Sequence, residues 1–449
     1  MLSGLFSDRA FTRKMLSLSL PIALQSFMLA AVAAADSLML GSLDQNYMSA
    51  VSEATQIQFI QNMIILSVAS GCSILGAQYW GKGDKQTVKN IFCIILRINS
   101  IVSLIFFVLC EFFPYALMSI LTSEEILRQY GVEYLKIAGW SYLITGISQC
   151  YLAIMKVSEH ADTSAHISIT AVVINIVFNA FFIYGIWFFP KLCHKGAALA
   201  TVIARVIELL LCFGFSCKKT YLRPALRGLF RFYPEIARDF AKCVLPVLSA
   251  SLLWGSGFAS YTAFMGHLGE AAAAANAVVA VVRDLVCCLC NGIATATGIM
   301  LGNELGAGDL QKGRLYGDRF VKLAFLCGFF STLIMIALTP AILAFVKLDK
   351  DATKYLLQMM MIMAFYMIGR CVNTIVVNGI FYSGGDIIFD TYSLIVSMWC
   401  VAVPLAIIGT HFKWPVAVVY ACTCVDEVGK IPWVMYHYRK YKWVKNLTH

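Results

Sequence analysis

Runs of apolar residues, separated by short polar stretches, recur along the whole chain. Twelve of them reach the ~20 residues a helix needs to cross the hydrocarbon core of a bilayer. They lie near 15–40, 52–80, 89–113, 131–155, 164–187, 195–216, 239–265, 271–302, 315–346, 353–383, 387–410 and 414–438. The longer ones must tilt or project beyond the membrane. The first run carries the most informative polar residue. Between Ala23 and Ala35 only Gln25 and Ser26 are polar, and then Asp36 arrives. An ionised carboxylate in hydrocarbon costs several kcal/mol, so Asp36 must face a wet cavity, pair with a cation or hold a proton. At a rise of about 1.5 Å per residue it lies roughly 30 Å from Met15, in the distal third of the span. Position alone also allows an interfacial acid at the helix end.

Composition agrees with a polytopic membrane protein: 60% of residues are hydrophobic and 13% charged, where soluble domains carry about a quarter. The first run is too long for a cleavable signal and continues into similar runs. The net charge of +10 does not indicate nucleic acid, because the basic residues sit in short loops. The amino terminus has Arg9, Arg13 and Lys14, and the second loop Lys82, Lys85 and Lys89. The sixth loop runs from Lys218 to Lys242, the eighth has Lys312, Arg314 and Arg319, and the tail Arg439, Lys440, Lys442 and Lys445. The first and seventh loops have none, and the ninth (Lys347, Lys350, Lys354) is offset by Asp349 and Asp351. Both termini and the even loops are therefore expected in the cytoplasm of a multi-pass protein. A compact chain of this kind suits a prokaryotic inner (plasma) membrane. The sixteen cysteines lie mostly inside apolar runs and show no zinc-ligand spacing, so they read as small packing residues.

The two halves of the chain repeat. Shifted by 225 residues, Pro21 meets Pro246, Gly41 meets Gly266, Gly81, Gly83 and Asp84 meet Gly306, Gly308 and Asp309, and Arg97 meets Lys322. Six spans separate the copies, so the repeats are parallel and related by an axis along the membrane normal. The expected fold is an all-α integral membrane protein with twelve transmembrane helices in two six-helix lobes related by pseudo-twofold symmetry. The lobes are expected over 1–217 and 243–449, joined by a cytoplasmic linker at 218–242. Substrate sites in such folds lie between the halves, near mid-membrane.

Several stretches are more specific. The first run ends Asp36-Ser37-Leu38-Met39-Leu40-Gly41, and the second ends Gln78-Tyr79-Trp80-Gly81-Lys82-Gly83-Asp84. The fifth and sixth carry Asn175-Ile176-Val177-Phe178-Asn179, Gly185, Pro190 and Gly196-Ala197-Ala198-Leu199-Ala200-Thr201, and basic residues precede Trp443 in the tail. In these motifs, and over nearly its whole length, the chain resembles the MATE family, the multidrug and toxic compound extrusion transporters. The resemblance implies a secondary antiporter that exports organic, mostly cationic and aromatic compounds by alternating access, against inward flow of protons or sodium.

The family's amino-lobe ion site falls here on Asp36, Asn175, Asn179 and Thr201. Asn175 and Asn179 are one turn apart and share a helix face. Their amide oxygens and the Thr201 hydroxyl can support a charged Asp36 or complete a cation shell. Two asparagines in a membrane helix can also be simple interhelical glue. Some relatives carry Asp where Asn179 stands. A single carboxylate favours the proton as coupling ion, with sodium at these four residues as the weaker alternative. No other cofactor is expected.

Other members carry acids where Trp254 and Cys371 stand, so a carboxyl-lobe sodium site of that kind is not expected. The carboxyl half instead shows cavity charges at Arg283, Asp284, Arg370 and Asp390. Arg370 inside the tenth span is expensive unless paired or wet, and the expected partners are Asp284 or Asp390. Arg283 and Asp390 can equally snorkel to an interface. Arg205 with Glu208, and Glu427 with Lys430, have the spacing of local helix pairs.

A lipid-linked oligosaccharide or polysaccharide flippase of the same superfamily is the alternative, since Arg370, Arg283 and Lys156 would suit a pyrophosphate. No HExxH, GxSxG or Walker motif suggests an enzyme. The expected partners are small amphipathic substrates and membrane lipid, with no nucleic acid, and the expected state is a monomer.

Overall fold

The computed structural model describes residues 8–186, 189–224, 226–229, 231, 233–346 and 348–448. Trp187, where the fifth apolar run was expected to end, and Lys347 of the ninth loop lie outside them. Among the described residues every regular element is helical. In chain order these are α1 (Arg9–Gly41), α2 (Gln45–Lys82), α3 (Lys85–Phe112), α4 (Pro114–Leu121), α5 (Glu125–Val157), α6 (Ala161–Tyr184) and α7 (Cys193–Ser216). There follow α8 (Pro234–His267), α9 (Glu270–Gly306), α10 (Leu310–Phe345), α11 (Lys350–Asn373), α12 (Ile388–Leu394), α13 (Val403–His411), α14 (Val416–Val428) and α15 (Ile431–Tyr438). Eleven helical stretches among the described residues are long and apolar enough to cross a membrane, and the protein is a multi-pass membrane protein.

Departures from uniform spans have local causes. Pro114 opens α4, a short helix where only a loop was expected; its ring suits a first turn but ends α3 before it. The twelfth apolar run is split. Pro432 stands in the first turn of α15 and would clash with the carbonyl of Val428, where α14 stops. From Thr374 to Phe381, α11 continues with wider i→i+5 hydrogen bonding, as does Ile395–Ala402 between α12 and α13. The linker also holds structure, since a helical turn spans Leu226–Leu229 and α8 begins at Pro234.

The internal repeat has a structural counterpart in its turn motif. Gly83 and Gly308 both have φ of +85°, a conformation open to glycine at little cost. Each is followed by a capping acid. Asp84 accepts from the backbone N–H groups of Gln86 and Thr87 at 3.1 and 3.0 Å, and Asp309 from that of Lys312 at 2.9 Å.

Packing groups the chain into two compact units. One holds Met1–Ser26, Ala77–Gly83 and Leu245–His449, and the other Phe27–Gly76 and Asp84–Val244. In the second unit, Leu40, Ile57, Met118, Leu135, Tyr142 and Ile183 belong to one buried cluster. In the first, the end of α2 crosses the end of α9 with backbones almost touching. A Cβ added at Gly81 would lie 2.0 Å from the Asn303 carbonyl oxygen, and one at Gly306 would lie 1.9 Å from that of Gln78. Gly81 with Gly306, and Gln78 with Asn303, are partners under the 225-residue shift, so the crossing is self-complementary. Asp8, ahead of α1, pairs with Arg319 at 2.8 Å in the same unit, and Arg319 holds its carboxyl below the usual range.

Candidate functional site

The second unit brings Asp36 of α1, Asn175 and Asn179 of α6 and Thr201 of α7 into one hydrogen-bonded chain. The helical repeat puts both asparagines on one face. Gly196 then lets α7 start against the end of α6, because a Cβ there would lie 2.7 Å from the Phe182 carbonyl. The turn between the helices is closed by the Leu192 N–H donating to the Phe182 carbonyl at 2.8 Å. Thr201, one and a half turns further along α7, is thereby within reach of Asn175.

The chain of bonds runs as follows. Asn179 Nδ2 donates to Asp36 Oδ1, and also to Asn175 Oδ1 at 3.3 Å. Asn175 Nδ2 donates to Thr201 Oγ1 at 3.2 Å, and the Thr201 hydroxyl donates to the Ala197 carbonyl at 3.0 Å. Both asparagines are buried, while Asp36 and Thr201 are half-buried. Asp36 has no ion pair among the described residues. Its hydrogen-bond donor is a neutral amide. The buried Oδ1 of Asn179 has no hydrogen-bond partner among the described residues. Such a carboxyl group can accept from Asn179 when ionised and can itself donate when protonated. The phenol of Tyr134 on α5, within electrostatic reach of Asp36, is a neighbour that no sequence spacing announced.

In the first unit the expected pairings are corrected. Arg370 of α11 does not pair with Asp284 or Asp390; its Nη1 lies 2.8 Å from Glu427 Oε1 on α14. Asn373, one turn along α11, donates to the other Glu427 oxygen at 2.6 Å. This removes Glu427 from the expected local pair with Lys430, whose Nζ instead lies 3.5 Å from Asp390 Oδ1. The physical reason is burial. Two charges on one exposed face can pair locally, but a buried guanidinium needs the carboxylate its packed neighbour presents. Asp390 also accepts from the Tyr382 hydroxyl at 2.6 Å. Arg283 pairs with its neighbour Asp284 at 2.8 Å and lies over the Phe258 ring at 4.6 Å. Trp254 packs under Arg370, 5.4 Å from ring centre to guanidinium carbon. In the second unit Arg205 and Glu208 do pair, at 2.7 Å, and Ser148 donates to the same buried acid at 2.6 Å.

Sequence reasoning left three participants unassigned: Asn373, Tyr261 and Asp426. The Tyr261 hydroxyl donates to Asp426 Oδ2 at 3.1 Å across 165 positions of chain. No local pattern could reveal such a contact. Only the presence of adjacent acids, Asp426 and Glu427, in an apolar run was available as a signal.

Comparison with known proteins places this geometry in context. The family profile described as MatE matches residues 21–181 and again 246–408. The two matches begin on Pro21 and Pro246, partners in the internal repeat. An uncharacterised transporter of Bacillus subtilis, YisQ, is 23% identical over 424 residues, covering 94% of this chain and 92% of that one. A probable multidrug resistance protein, NorM, of Bacillus licheniformis is 21% identical over 409 residues, with 90% of each chain covered. Among solved structures, a MOP superfamily transporter from Pyrococcus furiosus superposes with a TM-score of 0.87 at 17% identity, covering 98% of this chain and 97% of that one. That structure's description gives its binding pocket a reverse polarity and suggests a different function for it. A MATE protein in complex with MaL6 gives the same score and identity, with 98% of both chains covered.

Proposed function

The chain belongs to the MatE family, a family of transporters, and on that premise we propose that it is a secondary active multidrug exporter that expels organic cations in exchange for protons. One observation carries this reading. Asp36 sits in a membrane helix with no cation partner among the described residues and with a neutral amide donating to it. When ionised, it attracts a cationic substrate. When protonated, that attraction is gone and the substrate leaves. The same carboxyl group thus links proton entry to cation release.

Two further features support the assignment. A sodium shell is built from oxygens, whereas here the Asn179 amide nitrogen faces the single carboxylate. Pro21, inside α1, leaves the Ser17 carbonyl without its usual helical donor and provides a place to bend as Asp36 changes state. The charge of Arg370, which would favour an anionic or lipid-linked substrate, is met by Glu427. The basic loops support a cytoplasmic position for both termini.

The test is ethidium export in everted membrane vesicles. Proton-driven export is expected in the wild type and is expected to fall to background in Asp36→Asn, with no response to a sodium gradient in either. Wild-type rates in Asp36→Asn would sink the proposal. Export driven by sodium alone would replace the proton with a metal at the same four residues.

A further inference from the structure

We propose that Asp426 is a second proton-exchanging carboxyl group, separate from Asp36, so that each transport cycle exchanges two protons. The stoichiometry rests on the proton-antiport reading above, but the titration of Asp426 does not.

Asp426 lies near the end of α14, 3% exposed. Each of its oxygens has one neutral donor. The Tyr261 hydroxyl of α8 reaches Oδ2 at 3.1 Å, and the backbone N–H of Glu427 reaches Oδ1 at 2.7 Å. Besides Tyr261, charged and titratable groups on several neighbouring helices lie in this region, while Cys400 of the Ile395–Ala402 stretch is exposed. Tyr366 and Arg370 come from α11, Arg283 from α9, and Cys424, Glu427 and Lys430 from its own stretch. The His411 ring at the end of α13 is exposed. The cations in this set already have carboxylates. Arg370 holds Glu427 at 2.8 Å, Arg283 holds Asp284 at 2.8 Å, and Lys430 lies 3.5 Å from Asp390. Asp426 is the carboxyl group left over, with no ion pair among the described residues.

A buried carboxylate without a cation is costly, and two donated hydrogen bonds offset only part of that cost. Burial and hydrogen bonding therefore oppose each other, and the ionised and neutral forms are both accessible. A second, independent observation points to an exchangeable ligand here. The Tyr366 hydroxyl, 3% exposed and within electrostatic reach of Asp426, Glu427 and Arg370, has no hydrogen-bond partner among the described residues, and neither does Asn373 Oδ1. Unpartnered buried polar atoms are rare and call for a reason. A hydroxyl that can both donate and accept is a suitable relay for a proton moving to and from the carboxyl group. The helices are also irregular at this place. Wider hydrogen bonding begins at Thr374, next to Asn373, and α14 breaks after Val428. Interruptions of this kind accompany ion sites in membrane helices.

The deciding measurement is pH-difference infrared spectroscopy of the purified full chain in lipid nanodiscs, for wild type, Asp36→Asn, Asp426→Asn and the double variant. Carboxylic C=O bands are expected to appear as pH falls, and each single variant is expected to remove one band that the other variant keeps. Asparagine at 426 can still accept from Glu427 N–H and donate to the Tyr261 oxygen, so the packing is retained. Tyr261→Phe is expected to shift the Asp426 band, through loss of its hydrogen bond, without removing it. In proteoliposomes loaded with a monovalent organic cation, the proton-to-cation ratio is expected to drop from two to one in Asp426→Asn, and the response to membrane potential to vanish. A spectrum unchanged by Asp426→Asn, a ratio that stays at two, or a band abolished by sodium at constant pH would each overturn the proposal. If the wild type exports nothing on a proton gradient, the proposed function fails, and the infrared experiment still decides Asp426.

Discussion

Arg370 illustrates how a single residue can be read as costly from sequence yet receive its partner only from the fold. Its guanidinium is nearly enclosed, with Glu427 at 2.8 Å and the Trp254 ring beneath it. Arg370→Ala would leave Glu427 buried and uncompensated, which typically costs about 3–5 kcal/mol. The expected result is a lower unfolding temperature in detergent. Replacing both partners together, Arg370→Met with Glu427→Leu, is expected to recover most of the loss, because desolvation of two charges is avoided. The shared helix face of Asn175 and Asn179 was legible from their spacing, whereas their grouping with Asp36 and Thr201 came from the family resemblance. The Arg370 partner was not legible, since 57 positions of chain separate it from Glu427 and the expected partners were Asp284 or Asp390.

Among elements, the crossing of α2 and α9 is the clearest constraint. At Gly81 and Gly306 the facing backbone leaves no space for a methyl group. Gly306→Val is expected to force the helices apart at an overpacking cost of about 1–3 kcal/mol, read as a loss of thermal stability. Gly83→Ala tests a different quantity, the positive φ of the turn, where open space surrounds the position. Its effect is expected to be smaller than that of Gly306→Val. The repeated Gly-x-Gly-Asp turn was visible in the chain and does cap α3 and α10. The interruption between α14 and α15 was not foreseen. The apolar run continues through it, and Pro432 was overlooked because hydropathy alone does not register a missing N–H.

At the level of the whole molecule, the expected topology places the connection between α7 and α8 in the cytoplasm. Cys217, exposed just beyond α7, provides a direct probe. A membrane-impermeant maleimide is expected to label it in everted vesicles and not in intact cells, with Cys217→Ser as control. Labelling from the outer face alone would invert the assigned orientation. The same vesicles serve the export assay, so topology and transport can be compared on one preparation.

The amino-acid sequence by itself determined that this chain lives in a membrane and crosses it repeatedly as long apolar helices. Those properties follow from backbone hydrogen bonding in hydrocarbon, which demands long apolar helices whatever their neighbours. It also marked Asp36 as an expensive residue needing a reason. Only the tertiary structure decided what stands beside each buried charge. Helix packing chose Asn179 for Asp36, Glu427 for Arg370 and Tyr261 for Asp426. Such contacts join residues far apart in the chain, and their energies depend on burial and geometry that no local pattern contains.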